Sequence, residues 1–360
     1  MNRRSFLKNS AIGGSAAAAA TLAAPAYAQG NRTLTMVTSV PDGFAVFDDA
    51  AVYFSEAVTT MTDGQLTIDK RPAGSLVGAF EVFDAVTAGQ ADMYHSADYY
   101  FLGQHPGYGY FTSVPFGGTA QELMNWYQHD GGKELHDELG QIFGLKSFLA
   151  GNTGMQPGGW FRTEINSAAD LNGLKFRMPG FGGRALGNTG ASVQNIPGGE
   201  IYQALSSGAI DGAEWIGPFA DERLGLQEVC DYYYTSGFQE PGSALSAAMN
   251  LEVWDSLTPA QQSIVEKAAM ATHHWSYAQS MANNSKALER LVAGGTQLRQ
   301  FSDDIWDAFG DASVKALDEF AGDDLFDQIR ASFEESIAKS AQWASLSESI
   351  FVAQRQRIFG

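Results

Sequence analysis

A chain of 360 residues with 41 acidic side chains, 22 Lys and Arg, and a formal charge of −19 is a poor partner for nucleic acid or anionic lipid, which attract positive charge. Its length suits two lobes, each with its own core. The single cysteine, Cys230, excludes an intramolecular disulfide, so the fold must rest on packing, and in "LQEVCDYYY" this thiol reads as a small buried hydrophobe.

The opening "NRRSFLKN", the uncharged stretch from Ser10 to Ala24 and the small-residue site Ala26-Tyr27-Ala28 predict a twin-arginine-type export signal over residues 1–28. Its Gly- and Ala-rich core is short of the ~20 strongly apolar residues that a membrane span needs. The expected compartment is the periplasm or cell exterior. Losing Arg3, Arg4 and Lys8 leaves the mature chain three charges more negative. Such a protein needs local positive groups to hold an anion, and a bound cation would help.

"TLTMVTSV" reads as a strand ending at the turn "PDG". "FAVFDDAAVYFSEAVTTMTDG" places Phe44, Phe47, Ala51, Phe54 and Val58 at helical spacing. "QLTIDKRPAG" is the next strand and "GAFEVFDAVTAGQ" the next helix. The β-α-β-α order predicts an α/β fold with a mainly parallel sheet, where ligands sit beyond the C-terminal strand ends.

An internal repeat is the most informative feature. "EVFDAVTAGQADMYHS" (81–96) aligns without a gap on "EIYQALSSGAIDGAEW" (200–215), with Glu, Ala, Gly and Asp coinciding at 81/200, 85/204, 89/208 and 92/211. Each copy reads as a helix, a glycine C-cap and an Asp-led strand. Two similar lobes follow, with the residues just past "GAID" facing the cleft, and His95 aligns with Glu214. Past Pro241, Thr258 caps and Pro259 starts a helix that runs to Gly294. After the short strand "TQLRQF", residues 303–355 read as helix, a brace or a dimer contact.

Several constellations could carry chemistry. Arg177, at the end of the strand in "LNGLKFRMPG", offers a planar charged fork for a carboxylate; a surface salt bridge is the plainer use. The loop "GNTGMQPGGWFR" (151–162) brings Asn152 and Gln156 among four glycines. "GFGGRA" matches the G-x-G-x-x-A dinucleotide pattern, but Pro179 in the turn and a short following helix disfavour it. His273 and His274, being adjacent, face different sides of their helix and do not form an i, i+4 metal pair. Glu214 and Glu240 could be an acid/base pair, oxygen ligands for Na⁺ or Ca²⁺, or unrelated surface acids.

Taken together, the export signal, "LNGLKFRMPG", "PGGEIYQALSSGAIDGAEWIGP" and "YYYTSGFQEPG" resemble the DctP family, the solute-binding proteins of TRAP transporters, over essentially the whole mature chain. The segments "EWIGP" and "YYYTSGFQEPG" look like the subgroup for 2-oxo and 2-hydroxy monocarboxylates such as pyruvate or lactate, bound with a metal cation. The resemblance implies that Arg177 grips the carboxylate. It also implies that Gln156, Glu214, Trp215 and Glu240 surround Na⁺ or Ca²⁺, and that Gln156 and Trp215 also touch the ligand. Asn152, Tyr99, Tyr100 and Phe181 are placed as further pocket lining.

The implied fold is a two-lobed, type II-like periplasmic binding protein with crossing strands, a long connecting helix and a helical C-terminal tail. Residues 29–150 with about 240–285 form lobe I, 151–239 with about 286–325 form lobe II, and 326–360 form the tail. The implied partners are a small organic acid and the membrane subunits of the transporter, not nucleic acid; some members pair through C-terminal helices, which leaves a homodimer open. The chain is then not an enzyme. The alternative is a periplasmic hydrolase or lyase using Glu214 and Glu240 as its acid/base pair.

Overall fold

The computed structural model describes residues 31–360, so the expected export signal lies outside the described residues. Strands β1 (Arg32–Thr38), β2 (Leu66–Arg71) and β3 (Met93–Ser96) alternate with helices α1 (Phe47–Met61) and α2 (Val82–Thr87). β1 pairs in parallel with both β2 and β3. The apolar stripe of α1, with Phe47, Ala51, Phe54 and Val58, is buried as its spacing predicts.

Helices α3 (Ala120–His129) and α4 (Gly132–Ile142) lead into β4 (Leu145–Asn152), after which the chain crosses to a second sheet at β5 (Gly159–Phe161). That sheet is built from β6 (Lys175–Arg177), α5 (Gly180–Asn188), β7 (Ser192–Gln194), α6 (Ile201–Ser206), β8 (Gly212–Ala213), α7 (Pro218–Leu224) and β9 (Tyr232–Tyr234). The chain returns through β10 (Ala244–Asn250), antiparallel to β3 and β4. It continues as α8 (Leu251–Asp255), α9 (Pro259–Ala293), β11 (Gln297–Arg299), α10 (Asp303–Asp318), α11 (Asp324–Leu346) and α12 (Glu348–Phe359). The two sheets have the orders β2-β1-β3-β10-β4 and β11-β9-β5-β8-β6-β7.

The repeat is matched bond for bond. Gly89 and Gly208 end their short helices at φ +70° and +73°, a conformation that favours glycine. The carbonyls of Ala85 and Ala204 accept from Gln90 N and Ala209 N. Asp92 then accepts the Thr35 N–H of β1 at 2.7 Å, and Asp211 the Lys175 N–H of β6 at 3.0 Å. Each lobe therefore launches its cleft-forming strand, β3 or β8, from the same carboxylate clamp on its parallel neighbour.

The two crossing segments are zipped together. Thr153 N donates to Ser243 O, Gln156 N to Glu240 O, Gly237 N to Gln156 O and Gly158 N to Tyr234 O, at 2.8–3.0 Å. Beside them runs α9, started by the Thr258/Gln261 capping box that its sequence predicts. It is tied to α1 by Gln279 on Asp49 and a Tyr53–Trp275 stack, and to α7 by Asn284, which accepts from Phe219 N, and Arg290 on Glu222. The long helix thus braces both lobes. α11 packs on α3, where Trp126 Nε1 donates to Ser332 Oγ at 3.0 Å.

The glycines of "GFGGRA" serve close packing. A Cβ on Gly183 would meet Met178 O at 2.2 Å, and one on Gly182 the Gln239 side chain at 2.6 Å. α5 is longer than the sequence suggests, running through Gly187 to Asn188.

Candidate functional site

β6 and β8 are parallel neighbours in register, with Arg177 opposite Ala213, so the residues at their C-terminal ends converge. Arg177 and Glu214 are both wholly buried and form an ion pair through Nη1 and Oε1. Arg177 Nη1 also donates to Glu214 O at 3.2 Å, and Nε to Ile196 O at 3.0 Å. Its Nη2 has one long contact, 3.4 Å to the Tyr100 hydroxyl from the opposite lobe. The guanidinium lies 5.4 Å from the Trp215 ring centroid.

The crossing segments add the remaining polar groups. Glu240, 3% exposed, accepts from the Ser243 hydroxyl. Burial raises its pKa to about 7 against the opposing effects of Ser243, the Arg177 charge and Tyr99. Glu214 is also raised, by burial first; Arg177 opposes this while Glu240 and Asp221 add to it. Desolvation works against the Arg177 charge, but Glu214 more than restores it. The centre therefore has two buried carboxylates and one firmly charged cation, a set short of positive charge.

Three buried side-chain atoms here lack a protein hydrogen-bond partner: Asn152 Nδ2, Gln156 Oε1 and Glu214 Oε2. Their companion atoms are engaged: Asn152 Oδ1 accepts Gly154 N at 2.7 Å, and Gln156 Nε2 donates to Thr153 Oγ1 at 3.1 Å. Buried polar atoms are ordinarily satisfied, and these three leave one donor and two acceptors unmet by the protein. Glu214 Oε2, Gln156 Oε1 and the Glu240 carboxylate are hard oxygen donors of the kind that suit Na⁺ or Ca²⁺. Among the described residues no three His, Cys, Asp or Glu side chains converge as a metal cluster, so a cation here would depend on neutral and ligand oxygens. An indole offers no oxygen, so Trp215 could coordinate only through its carbonyl.

The sequence expectations otherwise fall into two groups. Tyr99 and Tyr100 enter the cleft from a 3-10 turn, Asp98–Phe101, with rings 4.9 Å apart. Trp215 stacks on Phe47 of the first lobe at 6.4 Å and meets Phe44 edge-on at 5.9 Å. Phe181 is placed differently: its ring packs among Tyr110, Phe320 and Phe326, in the core that docks α5 on the first lobe. The ring contacts described for it are with these core aromatics. His95, the repeat partner of Glu214, points its Nε2 at Ala150 O, 3.0 Å away, and burial lowers its pKa to about 4.

Sequence reasoning missed Ser243, Phe47 as a cross-lobe contact, and Asp221. The last, one turn past "EWIGP", accepts Ile216 N, Gly217 N, Trp160 Nε1 and the Tyr233 hydroxyl at 2.9–3.0 Å, fixing the loop that carries Glu214 and Trp215. Only the proximity of an acid to that loop hinted at it. The aromatic contact yields a direct test. Phe47→Leu retains apolar volume but removes the stack, worth about 0.5–1.5 kcal/mol. A two- to tenfold loss of ligand affinity is expected by calorimetry; unchanged affinity would show that the stack does not contribute to closure.

Two sheets joined by zipped crossing strands, closed over buried charge with unmet hydrogen-bonding groups, define a hinged two-lobed solute-binding protein. The family profile for DctP, bacterial extracellular solute-binding protein, family 7, matches residues 36–323. The chain belongs to this family, and is a binding protein, not an enzyme. A monocarboxylate 2-oxoacid-binding periplasmic protein of Nostoc sp. (strain PCC 7120) is 38% identical over 365 residues, 99% of this chain and 96% of that protein. A TRAP transporter solute-binding protein from Bordetella bronchiseptica, a mixed-occupancy dimer with copurified calcium and picolinate, superposes with a TM-score of 0.89 at 32% identity, covering 91% of this chain and 98% of that one. One from Pseudoalteromonas atlantica with bound sodium and pyruvate has a TM-score of 0.87 at 37% identity, covering 90% and 99%.

Proposed function

We propose that the chain is the periplasmic receptor of a TRAP transporter for a small 2-oxo or 2-hydroxy monocarboxylate, such as pyruvate or lactate, captured with Na⁺ or Ca²⁺ between the lobes and delivered to membrane subunits. The observation that carries this reading is the sorting of unmet buried atoms. Asn152 Nδ2 is a free donor and Arg177 Nη2 has only its long contact to Tyr100, a pair suited to an anion's oxygens. Glu214 Oε2 and Gln156 Oε1 are free acceptors, suited with Glu240 to a cation.

A cation would supply the missing positive charge and join the ligand's oxygens to the two glutamates. With Ca²⁺ and one monocarboxylate, the charges of Arg177, Glu214 and Glu240 balance to zero. Arg177 and Asn152 orient the carboxylate, while Trp215, Phe44 and Phe47 shut out water. The small-acid and cation complexes of the Bordetella and Pseudoalteromonas proteins support the same ligand class. Export by the twin-arginine route belongs to this reading, as does pairing of two copies through α12, whose Phe351 and Phe359 are exposed.

Native mass spectrometry of the purified protein, followed by calorimetry with pyruvate and lactate in calcium buffer, tests the proposal. A stoichiometric acid complex and a ligand-dependent rise in Tm are expected. Capture of a polyol alone, or catalytic turnover of the acid, would sink it.

A further inference from the structure

The turn that carries Tyr99 and Tyr100 begins with Asp98, a carboxylate with no exposed surface. Among the described residues no arginine or lysine hydrogen-bonds to it. Asp98 Oδ2 instead accepts the Ser246 hydroxyl of β10 at 2.8 Å and lies 2.9 Å from His136 Nε2 of α4. Since a carboxylate only accepts, Nε2 carries the hydrogen. The other ring nitrogen of His136 meets the Tyr127 hydroxyl of α3 at 3.3 Å, and the imidazole stacks on Phe111 at 4.0 Å. The next residue is held too, Tyr99 N donating to Thr112 Oγ1 at 3.1 Å.

This network joins five segments of the first lobe, and its interacting side chains, Asp98, Ser246, His136, Tyr127, Phe111 and Thr112, are not among those assigned to the ligand. Burying a carboxylate costs several kcal/mol unless its partners are well placed, and a plain turn does not require one. The second lobe offers a parallel. There the repeat aligns Asp98 with Gly217, and Gly217 N is held by the buried Asp221. In both lobes a buried carboxylate fixes the chain just past the central cleft strand, where the ligand-facing side chains sit.

We infer that Asp98 is a positioning residue: held by His136 and Ser246, it sets the turn so that the Tyr100 hydroxyl meets Arg177 Nη2 and aims the guanidinium at the solute. The inference rests on the assignment of Arg177 to the bound acid. Asp98 acts through Tyr100 and does not touch the ligand itself.

The test pairs a ligand-free measurement with a double-mutant cycle. In ligand-free protein, hydrogen exchange of the peptide covering residues 97–104 should be at least tenfold faster in Asp98→Asn, with Ser246→Ala in between; unchanged exchange would overturn the pin. In calorimetry with pyruvate and calcium, Asp98→Asn should lose about tenfold in affinity. Added to Tyr100→Phe, it should lose less than twofold more, because the route through Tyr100 is already cut. Fully additive losses would mean a general structural role and overturn the inference. Ser246→Ala, expected to lose about threefold, carries the same cycle if Asp98→Asn does not fold. If the wild-type protein binds no pyruvate, the proposed ligand fails while hydrogen exchange still judges the pin.

Discussion

Arg177→Ala is expected to weaken pyruvate binding by roughly 30- to 5,000-fold, the equivalent of about 2–5 kcal/mol for truncating one partner of a buried charge pair. Two losses combine. The ligand carboxylate loses a fully buried guanidinium, and Glu214 is left inside the closed cleft without the cation that faces it. Arg177→Lys should recover little, because a single ammonium cannot reach Ile196 O, Glu214 and a carboxylate together as the fork does. Calorimetry on folded variants measures this directly, and a loss below tenfold would remove Arg177 from the ligand site.

Stripping Na⁺ and Ca²⁺ should have a comparably large effect. Burial already disfavours the charged forms of Glu214 and Glu240 beside a single arginine, and an incoming acid adds further negative charge to this centre, so affinity in chelated, Na⁺-free buffer is expected to fall at least tenfold. Undiminished binding would show that the cation has no role. Glu240→Gln should lessen this dependence by removing one charge while keeping an oxygen donor. The pH dependence has a definite sign: with Glu240 raised to about 7 in the cation-free fold, a cation must displace its proton below that pH. Cation affinity should therefore rise with pH through 7 and level off above it.

The comparison of sequence and structure turns on the range of each interaction. The Thr258/Gln261 box, the glycine at the end of each repeat helix and the apolar stripe of α1 are set within a few residues. They are legible because capping, φ > 0 and helical spacing are local requirements. The repeat extends that legibility. By aligning two helix-glycine-strand units it placed Glu214 at a cleft-facing strand end, whereas Arg177 was legible only as a charge at the end of its own strand, and the ligand and cation came from family resemblance; that the two strands are neighbours is seen in the fold. Phe181 shows the limit of local reading, because an aromatic after a glycine turn looks the same in sequence whether its ring faces a pocket or packs with Tyr110, Phe320 and Phe326.

By itself, then, the amino-acid sequence determined the α/β units, their duplication, the 35-residue helix and which charged side chains stand at strand ends. Only the tertiary structure decided what those charges meet: Arg177 on Glu214 across 37 residues, Asp98 on His136 and Ser246 across 38 and 148, and Trp215 on Phe47 of the other lobe. The physical reason is that local chemistry sets strand ends and caps, whereas a buried charge is stabilised by whatever partner packing brings within hydrogen-bond reach. That choice is made when the lobes close and water is excluded.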